Sequence, residues 1–188
     1  VFAVNATQQI SWHHIAALYP HASPAQPLSS EDPQGGFFMV DTPPEAGAFL
    51  FNAEGQLIGI AIEAGEVIPA EWIAGAVRQY LRDGTYHPVT LGISFIDLSR
   101  VIPLVSEIPN AGIRIEGDRT HRAIIAGSPA FGAGLAAGDI LTVFDGRRLD
   151  GRIPLSLLLA RYSSGTEIEM VVMRNRKEEK VKVVLGPK

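Results

Sequence analysis

The residues able to do acid–base, nucleophilic or metal chemistry are few and scattered. There is no cysteine among the 188 residues. This removes a thiol nucleophile, a disulfide framework and any zinc or iron–sulfur site built on thiolates. His13, His14 and His21, followed by Glu31 and Asp32, are of ligand type, but their spacing matches no metal-ligand motif. With no partner pattern, each histidine reads as a surface or loop residue, and no metal or cofactor is expected. Asp41 and Glu45 could pair as acid and base; an acidic, Pro-rich turn is the simpler reading of residues 41–47. Gly35-Gly36 is followed by neither Lys nor Ser/Thr at the offset of a phosphate loop. The densest cluster of special residues is Gly127-Ser128-Pro129-Ala130-Phe131-Gly132-Ala133-Gly134-Leu135-Ala136-Ala137-Gly138-Asp139-Ile140-Leu141. In it Gly134 and Gly138 allow tight turns where a Cβ would clash, and Asp139 can tie a turn to nearby backbone amides.

The elements that must carry these residues are mostly strands. Hydrophobic residues make up 46% and charged residues 19% of the chain, which is globular composition. With Lys plus Arg at 16 and Asp plus Glu at 20, no basic excess is available to neutralise phosphates, so nucleic acid is excluded as a partner. No apolar run reaches the roughly 20 residues of a membrane span. The chain opens at Val1 without a Met or a signal-peptide pattern, so a mature form or a fragment is expected. Residues 1–10 open with a short apolar segment. Pro20, Pro24, Pro27 and Pro33 mark residues 20–34 as an exposed loop. Strands are expected at 37–40, 48–51 and 56–62, the last two joined by Asn52-Ala53-Glu54-Gly55. Pro69 opens a helix to about Arg82, stopped by Asp83-Gly84. Beyond a junction near His87-Pro88, strands are expected at 91–98, 113–115, 123–126 and 139–144. A short helix starts at Ser128-Pro129 and another spans 154–162. A terminal hairpin pairs 166–174 with 179–185 around residues 175–178.

The Gly127-to-Leu141 segment resembles the G-S-P-A-x-x-A-G-L-x-x-G-D-x-I core of bacterial PDZ domains. Val143-Phe144-Asp145-Gly146 resembles the V-N-G step that follows it, with Phe144 and Asp145 departing. The resemblance spans about 89–186. It implies that a peptide adds as a strand between a sheet edge and a helix, with its C-terminal carboxylate on backbone N–H groups. Thr90-Leu91-Gly92-Ile93 resembles the carboxylate loop, Gly92 letting the backbone curl around an anion. Ile93, Ser94 and Phe95 would form the pairing edge. Leu155, Leu158 and Leu159 would line the apolar pocket, or merely pack the core. Residues 103–117 form an insertion-like segment able to cover or reshape the groove.

The segment from Ala46 to Ile60 resembles the nucleophile region of HtrA-type serine proteases, G-N-S-G-G-P-L-x-N-x-x-G-x-x-I-G-I. Ile68-Pro69, a helix, Arg82-Asp83-Gly84 and Leu91-Gly92-Ile93 resemble that family's passage from protease to PDZ domain. Aligned from Leu50, the head of the motif departs from the pattern. The nucleophile position is Ala46, which has no hydroxyl. Glu45, Pro44 and Ala48 replace the Asn and two Gly residues around it, leaving Pro44-Glu45-Ala46-Gly47 as a degenerate site. One oxyanion donor of the family is the amide two residues before the nucleophile, and Pro44 has none. A single Ser→Ala change accounts for Ala46 alone, so natural degeneration is the reading. The family's His and Asp would lie upstream of Val1.

The fold expected is therefore mainly β with a few helices: a trypsin-like half β-barrel with its closing helix at 1–88, then a PDZ domain at 89–188. The resemblance implies a non-catalytic module of an HtrA-like pseudoprotease in the periplasm or cell envelope. Its expected partners are protein C-termini or extended peptides, with a homo-oligomer left open. Two other readings stand. One is a fragment of a regulated HtrA-type endopeptidase whose first barrel is missing. The other is an assembly role, with the PDZ domain docking a neighbouring subunit or the chain's own tail, for which the charged end Pro187-Lys188 is a poor fit.

Overall fold

The computed structural model describes residues 1–18, 27–30, 37–100 and 111–187. The first part of the chain forms strands β1 (Phe2–Val4), β2 (Ile10–Trp12), β3 (Ile15–Leu18), β4 (Leu28–Ser29), β5 (Phe38–Val40), β6 (Phe49–Phe51), β7 (Leu57–Ala61) and β8 (Glu66–Pro69), then helix α1 (Ala70–Asp83). The rest forms β9 (Val89–Thr90), β10 (Ser94–Asp97), β11 (Ile113–Ile115), α2 (Pro129–Gly132), β12 (Ile140–Phe144), β13 (Arg147–Arg148), α3 (Leu155–Leu159), β14 (Glu167–Arg174), β15 (Lys177–Val184) and β16 (Gly186–Pro187). The chain divides into two compact units, Val1–His21 with Pro33–Tyr86, and Ala22–Asp32 with His87–Lys188. The mainly β architecture with few helices is as the sequence implies.

In the first unit an antiparallel sheet runs in the order β2-β1-β6-β7-β8-β5-β3 and curls as a half-barrel. Two of its hairpins are closed by the same side-chain device. Asn52 Oδ1 accepts from the N–H groups of Glu54 (3.1 Å) and Gln56 (2.8 Å), and Asn5 Oδ1 accepts from those of Thr7 (3.1 Å) and Gln9 (2.8 Å). A carboxamide oxygen thus does the work of a turn carbonyl in an N-A-x-x-Q loop used twice. Ala3, Phe38, Val40, Ala48, Leu50, Ala61 and Val67 form a small core. Pro69 closes β8 and stands just before α1, which begins one residue later than expected, and Gly84 ends the helix in left-handed backbone with its N–H on Tyr80 O. The helix packs on β7 and β8.

The second unit is a sheet ordered β15-β14-β12-β11-β10-β4, with β13 beside β12 and β16 paired to β9. One core joins Leu91, Ile93, Phe95, Ile115, Leu141, Phe144, Leu155, Leu158, Leu159, Met170 and Val172. Several expectations change in detail. Residues 123–126 contribute an isolated bridge, Ile93 to Ile124, in place of a strand. Helix α3 covers five residues. Beyond it Tyr162 turns onto Phe144 and donates its O–H to Asp145 (2.6 Å). Burial, reinforced by that carboxylate, pushes the Tyr162 phenol up to about 12. The terminal hairpin closes on Asn175 and Arg176, both at positive φ (49° and 62°), a tighter loop than four residues.

Residues 20–34, expected as exposed loop, are described only at 27–30. There β4 pairs with β10, and Ser30 is 1% exposed. Proline content argues against a central strand but is silent about a short segment that caps a distant edge. The segment 103–117 lies outside the described residues as far as 110, and its remainder supplies β11.

Candidate functional site

Gly92 is the pivot of the loop ahead of β10. Its φ is +73°, and a Cβ there would stand 2.2 Å from Ser128 Cβ and 2.7 Å from Ser128 Oγ. The loop therefore needs glycine for both backbone hand and space. At Gly134 and Gly138, where a clash was expected, nothing lies within 4 Å of the place a Cβ would take, and positive φ alone is the reason for glycine. Ser128, the residue against Gly92, caps α2 by accepting from Phe131 N–H (3.3 Å) and donates to Gly92 O (3.4 Å). Leu91 O accepts from Ala130 N–H (3.0 Å), and Gly92 O from Ile125 N–H (2.9 Å). The loop carbonyls thus point into the domain. Among the described residues, none accepts from the N–H of Leu91 or Gly92. Thr90 pairs with Gly186 through β9 and β16.

Along β10 the backbone alternates. Ser94 N–H donates to Ala123 O and Ser94 O accepts from Glu116 N–H (both 2.9 Å), so its polar groups face the interior of the sheet. Ile93 and Phe95 face the other side. There the chain supplies its own strand: β4 runs antiparallel with Ser29 opposite Ser94 and Leu28 opposite Phe95. Ser30 N–H donates to Ile93 O (2.9 Å), and Ile93 N–H donates to Ser30 Oγ (3.2 Å). The edge assigned to an added strand from the sequence is thus occupied by residues 28–30. Leu155, Leu158 and Leu159 are buried in the same core as Leu91, Ile93 and Phe95, and Leu28 packs against it. Leu158 also reaches a cavity of about 230 Å³ lined by Arg147, Arg148, Asp150, Arg152 and Ile153.

In the first unit, Pro44, Glu45, Ala46 and Gly47 lead into β6. Gly47 N–H donates to Ala61 O (2.8 Å) and Ala48 N–H to Glu45 O (3.0 Å), while Gly47 takes φ +87°. Glu45 Oε2 accepts from Asn5 Nδ2 (2.8 Å), and Asp41 pairs with His14 Nδ1 (3.0 Å). The two carboxylates therefore have separate partners. Donation from the His14 backbone N–H, then from its ring, holds the Asp41 carboxyl down to about 2. His14 is exposed, as expected. His13 is not: it is 5% exposed, its Nε2 lies 2.6 Å from Ser11 Oγ, and its Nδ1 has no partner among the described residues. His21, Glu31 and Asp32 lie outside the described residues.

The family model for the PDZ domain matches residues 89–185, just over half of the chain. The chain belongs to the PDZ-domain family. The probable periplasmic serine endoprotease DegP-like of Halomonas elongata is 28% identical over 158 residues, 77% of this chain and 31% of that protein. The serine protease Do-like HtrA of Bacillus subtilis is 28% identical over 164 residues, 78% of this chain and 35% of that protein. The chain thus spans about a third of the length of these curated relatives. The solved structure of HtrA-type protease AlgW with decapeptide superposes with a TM-score of 0.61 at 22% identity, over 96% of this chain and 56% of that one. This likeness speaks for the fold.

The PDZ domain also holds an ion pair that sequence reasoning half found. Asp139 ties its turn as expected, accepting from Ala136 N–H (2.8 Å). Its partner across the sheet, Arg174, was not legible. Arg174 Nε and Nη2 donate to the two Asp139 oxygens (2.8 and 2.6 Å), and Nη2 also reaches Gly134 O (2.9 Å). This fork braces the turn after α2, and α2 presents Ser128 to Gly92. Asp139 beside it raises the Arg174 pKa further, keeping it charged. Leu28 and Ser30 were missed altogether. A single leucine after Pro27 in a polar stretch has no periodicity to reveal a strand.

Proposed function

We propose that this chain is a non-catalytic peptide-binding module of an HtrA-type protein of the periplasm or cell envelope. It takes an extended C-terminal segment as a strand on Ile93 and Phe95, with Ser94 between them. The peptide's carboxylate rests on the N–H groups of Leu91, Gly92 and Ile93, with Thr90 closing the loop through β9. Leu155, Leu158 and Leu159 of α3 supply the apolar wall for the last side chain. The module comprises residues 89–188, and residues 1–88 are the degenerate barrel that accompanies it. The reading is carried by the loop: amides of Leu91 and Gly92 without an acceptor among the described residues stand beside an edge whose N–H and C=O groups accept an antiparallel strand. Such amides on left-handed glycine backbone favour an anion. The similarity to periplasmic endoproteases, and to HtrA-type protease AlgW with decapeptide, supports this reading of compartment and ligand.

Proteolysis by this chain is disfavoured by two residues. Ala46 offers no nucleophilic oxygen, and Pro44 offers no oxyanion donor. The experiment is a titration of the full chain with free-acid peptides and their amidated twins. Amidation is expected to weaken binding at least about ten-fold, since it removes a charge-assisted set of hydrogen bonds. Leu158→Asp is expected to abolish binding. Equal affinity for both twins, or undiminished binding by Leu158→Asp, would overturn the reading.

A further inference from the structure

We infer that residues 28–30 are a built-in competitor for the peptide groove, a strand in cis that an incoming peptide must displace. The inference rests on the peptide-binding reading above and adds a regulator to it. Three observations carry it. The segment lies on the side of β10 to which Ile93 and Phe95 turn their polar groups, and it runs antiparallel, Ser29 opposite Ser94 and Leu28 opposite Phe95. Its end imitates a ligand end: Ser30 N–H donates to Ile93 O at 2.9 Å, and Ser30 Oγ receives the Ile93 N–H at 3.2 Å. Finally, Leu28 packs on the core that contains Leu155, Leu158 and Leu159, and Ser30 is 1% exposed.

The imitation is incomplete, and this makes the segment displaceable. A neutral hydroxyl takes one amide of the loop. The amides of Leu91 and Gly92 have no acceptor among the described residues. A free carboxylate brings a full charge and two oxygens, and charge-assisted hydrogen bonds are roughly twice as strong as neutral ones. The cis segment therefore matches a ligand in strand pairing and loses to it at the anion site. Peptides lacking a free carboxylate have no such advantage over it. Because the segment belongs to the same chain, it acts at an effective concentration on the order of millimolar, so even weak pairing opposes a micromolar ligand. The apparent affinity for an external peptide is the intrinsic affinity multiplied by the open fraction.

The test opens and locks the segment in the full chain, using a labelled free-acid peptide ending in leucine as the probe. Leu28→Asp with Ser30→Gly opens it, and binding is expected to tighten about ten-fold, the order set by losing a few strand hydrogen bonds and one partly buried leucine. Ser30→Gly alone is a milder variant that keeps the packing. Ser29→Cys with Ser94→Cys locks it. The chain has no other cysteine, and the two positions are directly opposite in a non-hydrogen-bonded pair, a spacing that suits a disulfide. The oxidised form is expected to lose peptide binding and regain it on reduction. Wild-type affinity in the opened variants, or undiminished binding by the locked form, would overturn the competitor while leaving the peptide site standing. No binding by wild type or by a folded, opened variant would overturn the peptide-binding reading itself. A disulfide that joins two chains would overturn the assignment in cis.

Discussion

Gly92→Ala probes the one place where the loop, α2 and the candidate anion site meet. Two costs are separable there. An alanine at φ +73° sits in left-handed backbone, at a cost of about 1–2 kcal/mol. Its Cβ would also stand 2.2 Å from Ser128 Cβ, an atom fixed to its own backbone that no rotamer change can remove. Forced overpacking of this kind costs about 1–3 kcal/mol. The single variant should therefore lose about 2–5 kcal/mol of the second unit's stability. Ser128→Gly alone should lose only a few tenths of a kcal/mol, because glycine is a tolerable N-cap. In the double variant the collision is gone and the backbone cost stays, leaving about 1–2 kcal/mol and a favourable coupling of about 1–3 kcal/mol. The assay is urea unfolding of the full chain followed by amide resonances of Met170 and Val172, both fully buried in β14. Tryptophan fluorescence would not serve, since Trp12 and Trp72 both belong to the first unit. A coupling below about 0.5 kcal/mol would refute the steric argument and leave only the backbone one.

Two further outcomes follow from the ion pairs. Arg174→Gln strands the Asp139 carboxylate, which is 3% exposed; allowing for the one-third exposure of the Arg174 side chain, the loss should be about 2–4 kcal/mol. Pairing it with Asp139→Asn should cost less than the sum of the singles in the same urea assay, because the unpaired buried charge is gone. For Asp41 the folded-state pKa of about 2 lies below the ordinary 3.8. Its contribution is thus complete above about pH 4 and is lost as pH falls through about 2. Asp41→Asn should accordingly lower the melting temperature at about pH 6, with the difference from wild type closing by about pH 2. A difference that persists unchanged at low pH would show that the carboxylate charge is not what matters.

Much of this protein is local in origin and was legible without a structure. The hairpin at Asn52, the stop at Gly84, the Ser128-Pro129 helix start and the self-tying turn of Asp139 all depend on residues within a few positions of one another. Side-chain and backbone geometry dictate them wherever they occur. The absence of a hydroxyl at Ala46 and of an amide at Pro44 is likewise covalent chemistry. What only the tertiary structure decided involves partners far apart in the chain. Arg174 reaches Asp139 across 35 residues, and Ser30 meets Ile93 across 63. His13 is buried against expectation because its surroundings, not its neighbours in sequence, exclude water from it. Strand pairing is backbone chemistry that nearly any residue can perform, so a short segment such as 28–30 carries no composition that announces which edge it will cover.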